Sequence, residues 1–253
     1  MSIYSLYFSP TGGVKKVLDI LEEEMRVDSN IDLSKQDTNY SEYSLKKDDV
    51  CFIGMPVFGG RVPSIALERL RKIKVDGALA VVVAVFGNRA YDDALLEMKN
   101  EAAACGFVVG AAIAANAEHS IMRKFGHSRP DIKDREDLID YAKKIKNLIE
   151  NKSNIKSFEV PGKEPYKVYN GVPMKPKANN SCTKCGACAK QCPVGAIPKD
   201  NPSSLDENKC ISCMRCIKVC PENARKISKI VLFIASHKMK KLFKTRKDNE
   251  LYM

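Results

Sequence analysis

Several familiar signatures are missing from this 253-residue chain. No Gly-x-Gly-x-x-Gly run follows an apolar strand, so the usual fingerprint of a pyridine-nucleotide site is absent. No apolar run approaches the ~20 residues that a bilayer-spanning helix needs; the run from Ile230 to Ala235 is far too short. The N-terminus, Ser2-Ile3-Tyr4-Ser5-Leu6-Tyr7-Phe8, carries no basic n-region and reads as a strand rather than a signal peptide. A cytoplasmic location is the expectation. Aromatic residues make up only 7% and none is tryptophan, which leaves the basic stretches without stacking platforms for bases. Nucleic acid is therefore not an expected partner.

Acidic residues are scarce in one part only. Residues 1–150 carry 21 Lys and Arg against 23 Asp and Glu, whereas residues 151–253 carry 21 against 8. The formal charge of +11 belongs to the C-terminal part, which is suited to an acidic redox partner protein or an anionic membrane surface. A hydrophobic fraction of 44% is enough for a full core.

Cysteine, by contrast, is plentiful. Cys182-x2-Cys185-x2-Cys188-x3-Cys192-Pro193 recurs after 28 residues as Cys210-x2-Cys213-x2-Cys216-x3-Cys220-Pro221. This is the ligand spacing of bacterial [4Fe–4S] ferredoxins, in which the fourth cysteine of each run ligates the other cluster. The expected ligand sets are Cys182, Cys185, Cys188 and Cys220 for one cluster, and Cys210, Cys213, Cys216 and Cys192 for the other. Zinc also uses Cys-x2-Cys pairs, but it leaves the third cysteine and the Cys-Pro of each run unexplained. Clusters of this kind need a reducing compartment. The two remaining thiols, Cys51 and Cys105, read as core residues.

Upstream, strands alternate with helices. Runs at 2–9, 30–33, 49–57, 78–86 and 107–115 read as strands, and the two longest apolar ones suit a sheet buried on both faces. Helices are expected after residue 13, from Ser64 to about Lys72, from about Asp93 to Cys105, and from Asp134 to Glu150. The pattern predicts an α/β fold, a doubly wound five-stranded parallel sheet. Ligands of such sheets bind beyond the carboxyl ends of the strands. The loops there have unusual compositions: Ser9-Pro10-Thr11-Gly12-Gly13-Val14, Pro56-Val57-Phe58-Gly59-Gly60, Gly87-Asn88-Arg89-Ala90-Tyr91-Asp92 and Glu118-His119-Ser120.

With these loops in place, the first 150 residues resemble a flavodoxin. The whole chain resembles bacterial proteins that fuse a flavodoxin-like domain to a small α+β ferredoxin-like domain with two clusters. The resemblance implies FMN. Ser9, Thr11, Gly12, Gly13 and Val14 would hold its phosphate. Pro56, Val57, Phe58, Gly59 and Gly60, with Gly87, Asn88, Arg89, Tyr91 and Asp92, would flank the ring, Phe58 or Tyr91 stacking on it. Val14 departs from the second threonine usual in flavodoxins, at a loss of about 0.5–1.5 kcal/mol for one hydrogen bond. Arg89 is a salt-bridge former or a partner for an anionic ring, and His119 a solvated loop histidine or a proton donor.

The expected organisation is a flavodoxin-like domain at 1–150, a linker or strap at 151–180, a cluster domain at 181–225, and a basic amphipathic helix with a frayed tail at 226–253. The helix is expected to dock back on the protein, with peripheral membrane contact as the alternative. The function this implies is electron transfer between two [4Fe–4S] clusters and FMN. An FMN-dependent reductase of a small substrate, or a redox-sensing binding module, are the alternatives.

Overall fold

The computed structural model describes residues 1–151 and 155–253. Part of the expected linker, residues 152–154, lies outside the described residues.

The first domain is a sheet between two layers of helix. Parallel strands β1 (Ile3–Tyr7), β2 (Ser29–Asp32), β4 (Val50–Pro56), β6 (Leu79–Phe86) and β7 (Val108–Asn116) lie in the order β2-β1-β4-β6-β7. A two-residue pair, β3 (Ser44–Leu45) with β5 (Lys74–Val75), lies apart. Every residue of β6 is buried, as a central strand covered on both faces requires. Helices α1 (Gly13–Leu21) and α4 (Ile132–Glu150) cover one face, over Val50, Phe52, Val81, Val83 and Ile113. Helices α2 (Ser64–Leu70) and α3 (Ala94–Ala104) cover the other, over Leu6, Ile53, Met55 and Val82. This is the flavodoxin-like order, and strand direction of travel reverses between β1 and β4.

Helix α4 starts two residues before the sequence reading has it. Asp131 and Asp134 form a reciprocal capping box, which fixes the start. Asp134 is fully buried and forms an ion pair with the buried Arg129.

The chain end departs from expectation. Instead of fraying, it adds a sixth strand, β10 (Glu250–Tyr252), antiparallel to β7. Buried polar groups hold it. Asn249 Oδ1 accepts from Asn116 N–H at 2.9 Å, and its amide donates to Asp134. Arg246 pairs with Asp131 and Asp134. Asn88 donates to the carbonyls of Phe243 and Thr245, and its Oδ1 accepts from Lys247 N–H and from Arg129. The basic residues here are thus partly structural.

The second domain is small. Strands β8 (Lys177–Ala178) and β9 (Arg225–Lys226) pair antiparallel and bring its two ends together. Between them lie the one-turn helices α5 (Ala187–Lys190) and α6 (Arg215–Lys218). Helix α7 (Lys229–Met239) and a 3-10 turn (Lys240–Phe243) then lead back to the sheet. The segment joining the domains is a strap. Lys163 and Lys167 N–H donate to the Asp93 carboxylate, Arg61 donates to Lys167 C=O, and Phe158 and Val160 pack on the core. Among the described residues no helix is long and apolar enough to cross a membrane.

Asn88→Ala leaves several buried groups unpaired. It is expected to lower stability by about 3 kcal/mol and to free the C-terminal segment. The thermal midpoint and tryptic cleavage after Lys244 to Lys247 read this; an unchanged midpoint with no new cleavage contradicts it.

Candidate functional site

The loops after β1, β4, β6 and β7 close around a cleft of about 500 Å³. Ser9, Thr11, Gly13 and Val14 form one end, Pro56, Val57 and Phe58 one side, and Gly87 with Glu118, His119 and Ser120 the other. Gly12 turns the chain into α1 at φ +92°, a conformation that favours glycine. Ser9 Oγ accepts from Lys15 N–H at 3.0 Å, so its own proton is free to face the cleft. Among the described residues the N–H groups of Thr11, Gly13 and Val14 have no protein acceptor. Three unpaired amides at a helix N-terminus suit an anion. The Val14 side chain is buried over Gly54, where a Cβ would come within 2.7 Å of Val14 Cγ1. Core packing against the sheet thus explains an aliphatic residue at this position.

Not every residue of the sequence prediction lines this cleft. Gly59 and Gly60 form a tight turn with φ +62° and +92°, closed by paired Phe58 and Arg61. A Cβ at Gly59 would strike the Tyr169 ring of the strap. Asn88 anchors the chain end. Tyr91 packs edge-on to Phe86, and its hydroxyl bonds Glu250 and Tyr252, so its ring serves the core and the β10 edge rather than a stack. Arg89 pairs with Asp92, and Lys167 pairs with the same carboxylate. Arg89 also lines a second cavity of about 580 Å³, which shares Val57, Phe58, His119 and Ser120 with the cleft and is otherwise walled by Tyr169, Met174, Ser212, Met239 and Phe243. Phe58 stands between the two spaces.

His119 is half-buried rather than a solvated loop residue. Its Nδ1 accepts from Ile121 and Met122 N–H, which places the ring proton on Nε2. Burial, with Arg89 nearby, pushes its pKa down to about 4, so it is neutral at pH 7.

The eight cysteines ring two further spaces of about 310 Å³ each. Cys182, Cys185, Cys188 and Cys220 line one; Cys192, Cys210, Cys213 and Cys216 line the other. Among the described residues no three His, Cys, Asp or Glu side chains converge closely enough to chelate a single metal ion; the cysteines surround voids instead. The loops repeat in conformation as well as sequence. Lys184 and Ser212 share φ near +56°, Gly186 and Met214 are both left-handed, and so are Gly195 and Asn223. Each pair is 28 residues apart. Left-handed turns aim amides inward: Ala196 N–H donates to Cys192 Sγ at 3.3 Å, Ala224 N–H to Cys220 Sγ at 3.2 Å, and Ser212 N–H to Cys210 Sγ at 3.4 Å. The wall of each cage also contains an arginine whose buried Nε–H lacks a partner, Arg225 in the first and Arg215 in the second. Spare donors beside four sulfurs fit an iron–sulfur cluster, whose sulfurs accept hydrogen bonds. Burial pushes the Cys213 and Cys216 thiols up to about 12, so metal loading would release protons there.

Cys213 belongs to two walls. It lines the second cage and also the cleft beneath the sheet edge. Two arginines clamp the domains in this position. Arg69, buried under Tyr40, donates to Leu33 C=O at 2.7 Å and to Pro193 C=O at 2.6 Å. Arg215 donates to Pro10 C=O in the β1 loop at 3.1 Å.

Residues 181–224 match the family model of a 4Fe-4S dicluster domain. No curated protein matches the chain. Among solved structures it is similar to a flavodoxin from the domain Archaea, at 18% identity and TM-score 0.41, covering 58% of this chain and 99% of that one. It is similar also to a Fusobacterium nucleatum flavodoxin bound to flavin mononucleotide, at 13% and 0.39, covering 58% and 97%. A third is rubredoxin oxygen:oxidoreductase from Desulfovibrio gigas, at 14% and 0.43, covering 60% and 37%. At such identities the likeness concerns the fold alone.

Arg215, Arg225, Tyr169 and Cys213's second role are not in the sequence reading. The repeat could not flag the arginines, because the residues 28 positions earlier are Ala187 and Ile197.

The His119 shift has a definite sign. Its folded-state pKa lies below the ordinary value near 6.5, so its contribution is intact above that pH and is lost as pH falls toward 4. Relative to the parent, His119→Gln is expected to gain up to about 2 kcal/mol at pH 5 and nothing comparable at pH 8. The comparison must be between the two proteins, because buried Glu22, pushed up to about 7, adds a slope of opposite sign to both. Parallel stability–pH curves contradict the assignment.

Proposed function

We propose that this chain is an electron-transfer protein that holds two [4Fe–4S] clusters in its cysteine cages and FMN in the cleft at the sheet edge. One observation carries the reading: Cys213 lines both the second cage and the cleft. Carriers held there would be neighbours, with no segment of chain between them. Iron–sulfur clusters exchange single electrons and flavins one or two, so together they would join the two kinds of chemistry.

The residues have separable tasks. Ser9 and the amides of Thr11, Gly13 and Val14 would hold the phosphate. Phe58 would lie against the ring. His119, neutral and fixed by its Nδ1 contacts, offers an Nε2–H donor at the cleft wall. The first cage is nearer to solvent, since Cys185 is exposed, and would meet the external partner. The second is enclosed by buried Cys192, Cys213 and Cys216 and faces inward.

Anaerobic protein is expected to contain iron, sulfide and FMN, with a broad band near about 400 nm beside the flavin bands. Cys210→Ala should keep FMN yet slow bleaching of the flavin by a one-electron donor at least about tenfold. Ser9→Ala should weaken FMN binding by about 1.5 kcal/mol, roughly tenfold in Kd. Colourless protein carrying zinc, or bleaching at the parental rate in Cys210→Ala, overturns the reading.

The second cavity favours one further reading, reduction of a small substrate at the flavin. Its polar groups include Arg89, His119 and Ser212, and among the described residues no carboxylate lines it. A small carboxylate that binds there is expected to perturb the flavin spectrum, and Arg89→Ala to abolish that change; no perturbation by such compounds removes this reading.

A further inference from the structure

Helix α7 carries apolar side chains on the wrong side. Its inner residues, Leu232 and Ala235, pack with Met174, Met214 and Ile227, and Ser236 is buried. Its outer residues, Ile230, Phe233 and Ile234, follow i, i+3, i+4 spacing and lie in solvent; Ile230 and Phe233 are 72% and 71% exposed. Val231 and Leu242 flank them, also exposed. A cluster of this kind on a monomer's surface marks an interaction site.

The surrounding charge is of one sign. From residue 223 to 247 there is no Asp or Glu, and nine residues are Lys or Arg. Arg225 and Arg246 are engaged in the fold. The ammonium groups of Lys226, Lys229, Lys238, Lys240, Lys241 and Lys244 have no hydrogen-bond or ion-pair partner among the described residues. They lie at both ends of the apolar stripe. The chain beyond the helix is anchored, because Phe243 is buried and stacks on Phe125 at 4.1 Å between ring centroids.

We propose that α7 is a peripheral docking helix for an anionic lipid bilayer. The apolar residues would enter the headgroup boundary, and the lysines on either side would extend their stems along it and reach anionic headgroups. A protein partner suits this face less well. Protein interfaces favour Tyr, Trp and Arg and are depleted in Lys, whereas the charged residues beside this stripe are mainly lysines, with His237 stacked on Phe233. The seat of α7 adds a consequence: Met214, between Cys213 and Cys216, lies under the helix, so docking brings the second cage's side of the molecule to the bilayer.

The test uses the full-length, anaerobically purified protein and sedimentation with phosphatidylcholine vesicles, with and without phosphatidylglycerol. Binding at low salt is expected to the anionic vesicles, at least about tenfold above the neutral ones, and to fall with added salt. Ile230→Asp with Phe233→Asp, and separately Lys240→Glu with Lys241→Glu, should each reduce it about tenfold. Both pairs change exposed residues, and an unchanged thermal midpoint verifies folding. No binding to anionic vesicles, or binding insensitive to either pair, overturns the proposal. So does self-association in the parent that Phe233→Asp abolishes, because that would assign the face to a second copy of the chain.

Discussion

A side chain can line two compartments only if the domains that own them are held at fixed distance, and here two guanidinium groups, one of them buried, hold them. Arg69 belongs to α2, yet it reaches Pro193, the proline that follows the fourth cysteine of the first run. Arg215 opens α6, yet it reaches Pro10 in the loop that turns into α1. Both accept their geometry from main-chain carbonyls, which have little freedom to move. A lysine could make one such bond but not the forked pair that Arg69 makes. The position of Cys213 at the cleft wall therefore rests on backbone-to-guanidinium contacts together with apolar contacts at Ile121 and Ile211.

The remaining covalent path supports the same geometry from the outside. The strap crosses the mouth of the sheet edge, tied to Asp93 by two amides and to Arg61 by a carbonyl, with Tyr169 lying over Gly59. On leaving the cysteine domain, the chain returns through α7 to the far edge of the sheet, where Asn88, Asn116 and Asn249 receive it. The two connections and the two arginines make four crossings between the parts. Loops at a sheet edge are ordinarily the most mobile parts of such a fold; here they are enclosed by three separate segments of the same chain.

How much of this was legible depended on the kind of signal. The grouping of the cysteines was legible because a run repeated after 28 residues with the same spacing folds into two matching loops, and the two sets of four line separate spaces. The five parallel strands were legible because apolar runs such as Leu79–Phe86 have the length and composition of a central strand. Strand β10 was not: three residues, Glu-Leu-Tyr, show no usable period, and their place is set by asparagine amides far apart in sequence. Tyr91 misled for a related reason. An aromatic residue in a ligand-edge loop can stack or can hydrogen-bond, and only the position of Glu250 and Tyr252 decides which. His119 was read as a solvated loop histidine or a proton donor, because nothing local indicates that Phe243 will pack edge-on against its ring.

The uneven charge of the chain now separates into distinct uses. Some of the C-terminal cations are internal: Arg225 is fully buried, with its Nη groups on the carbonyls of Pro176 and Ser204, its Nε without a partner, and its side chain in the wall of the first cage. A donor without a partner beside grouped sulfurs suits a site whose sulfurs accept hydrogen bonds. Others, such as Arg246, stabilise the acidic cap of α4. The lysines flanking α7 do neither. Among the described residues their ammonium groups pair with no carboxylate, and their cost in mutual repulsion is borne on a surface that already exposes Ile230 and Phe233. Charge that serves neither the fold nor the cages faces outward, where it is free to meet a negative surface.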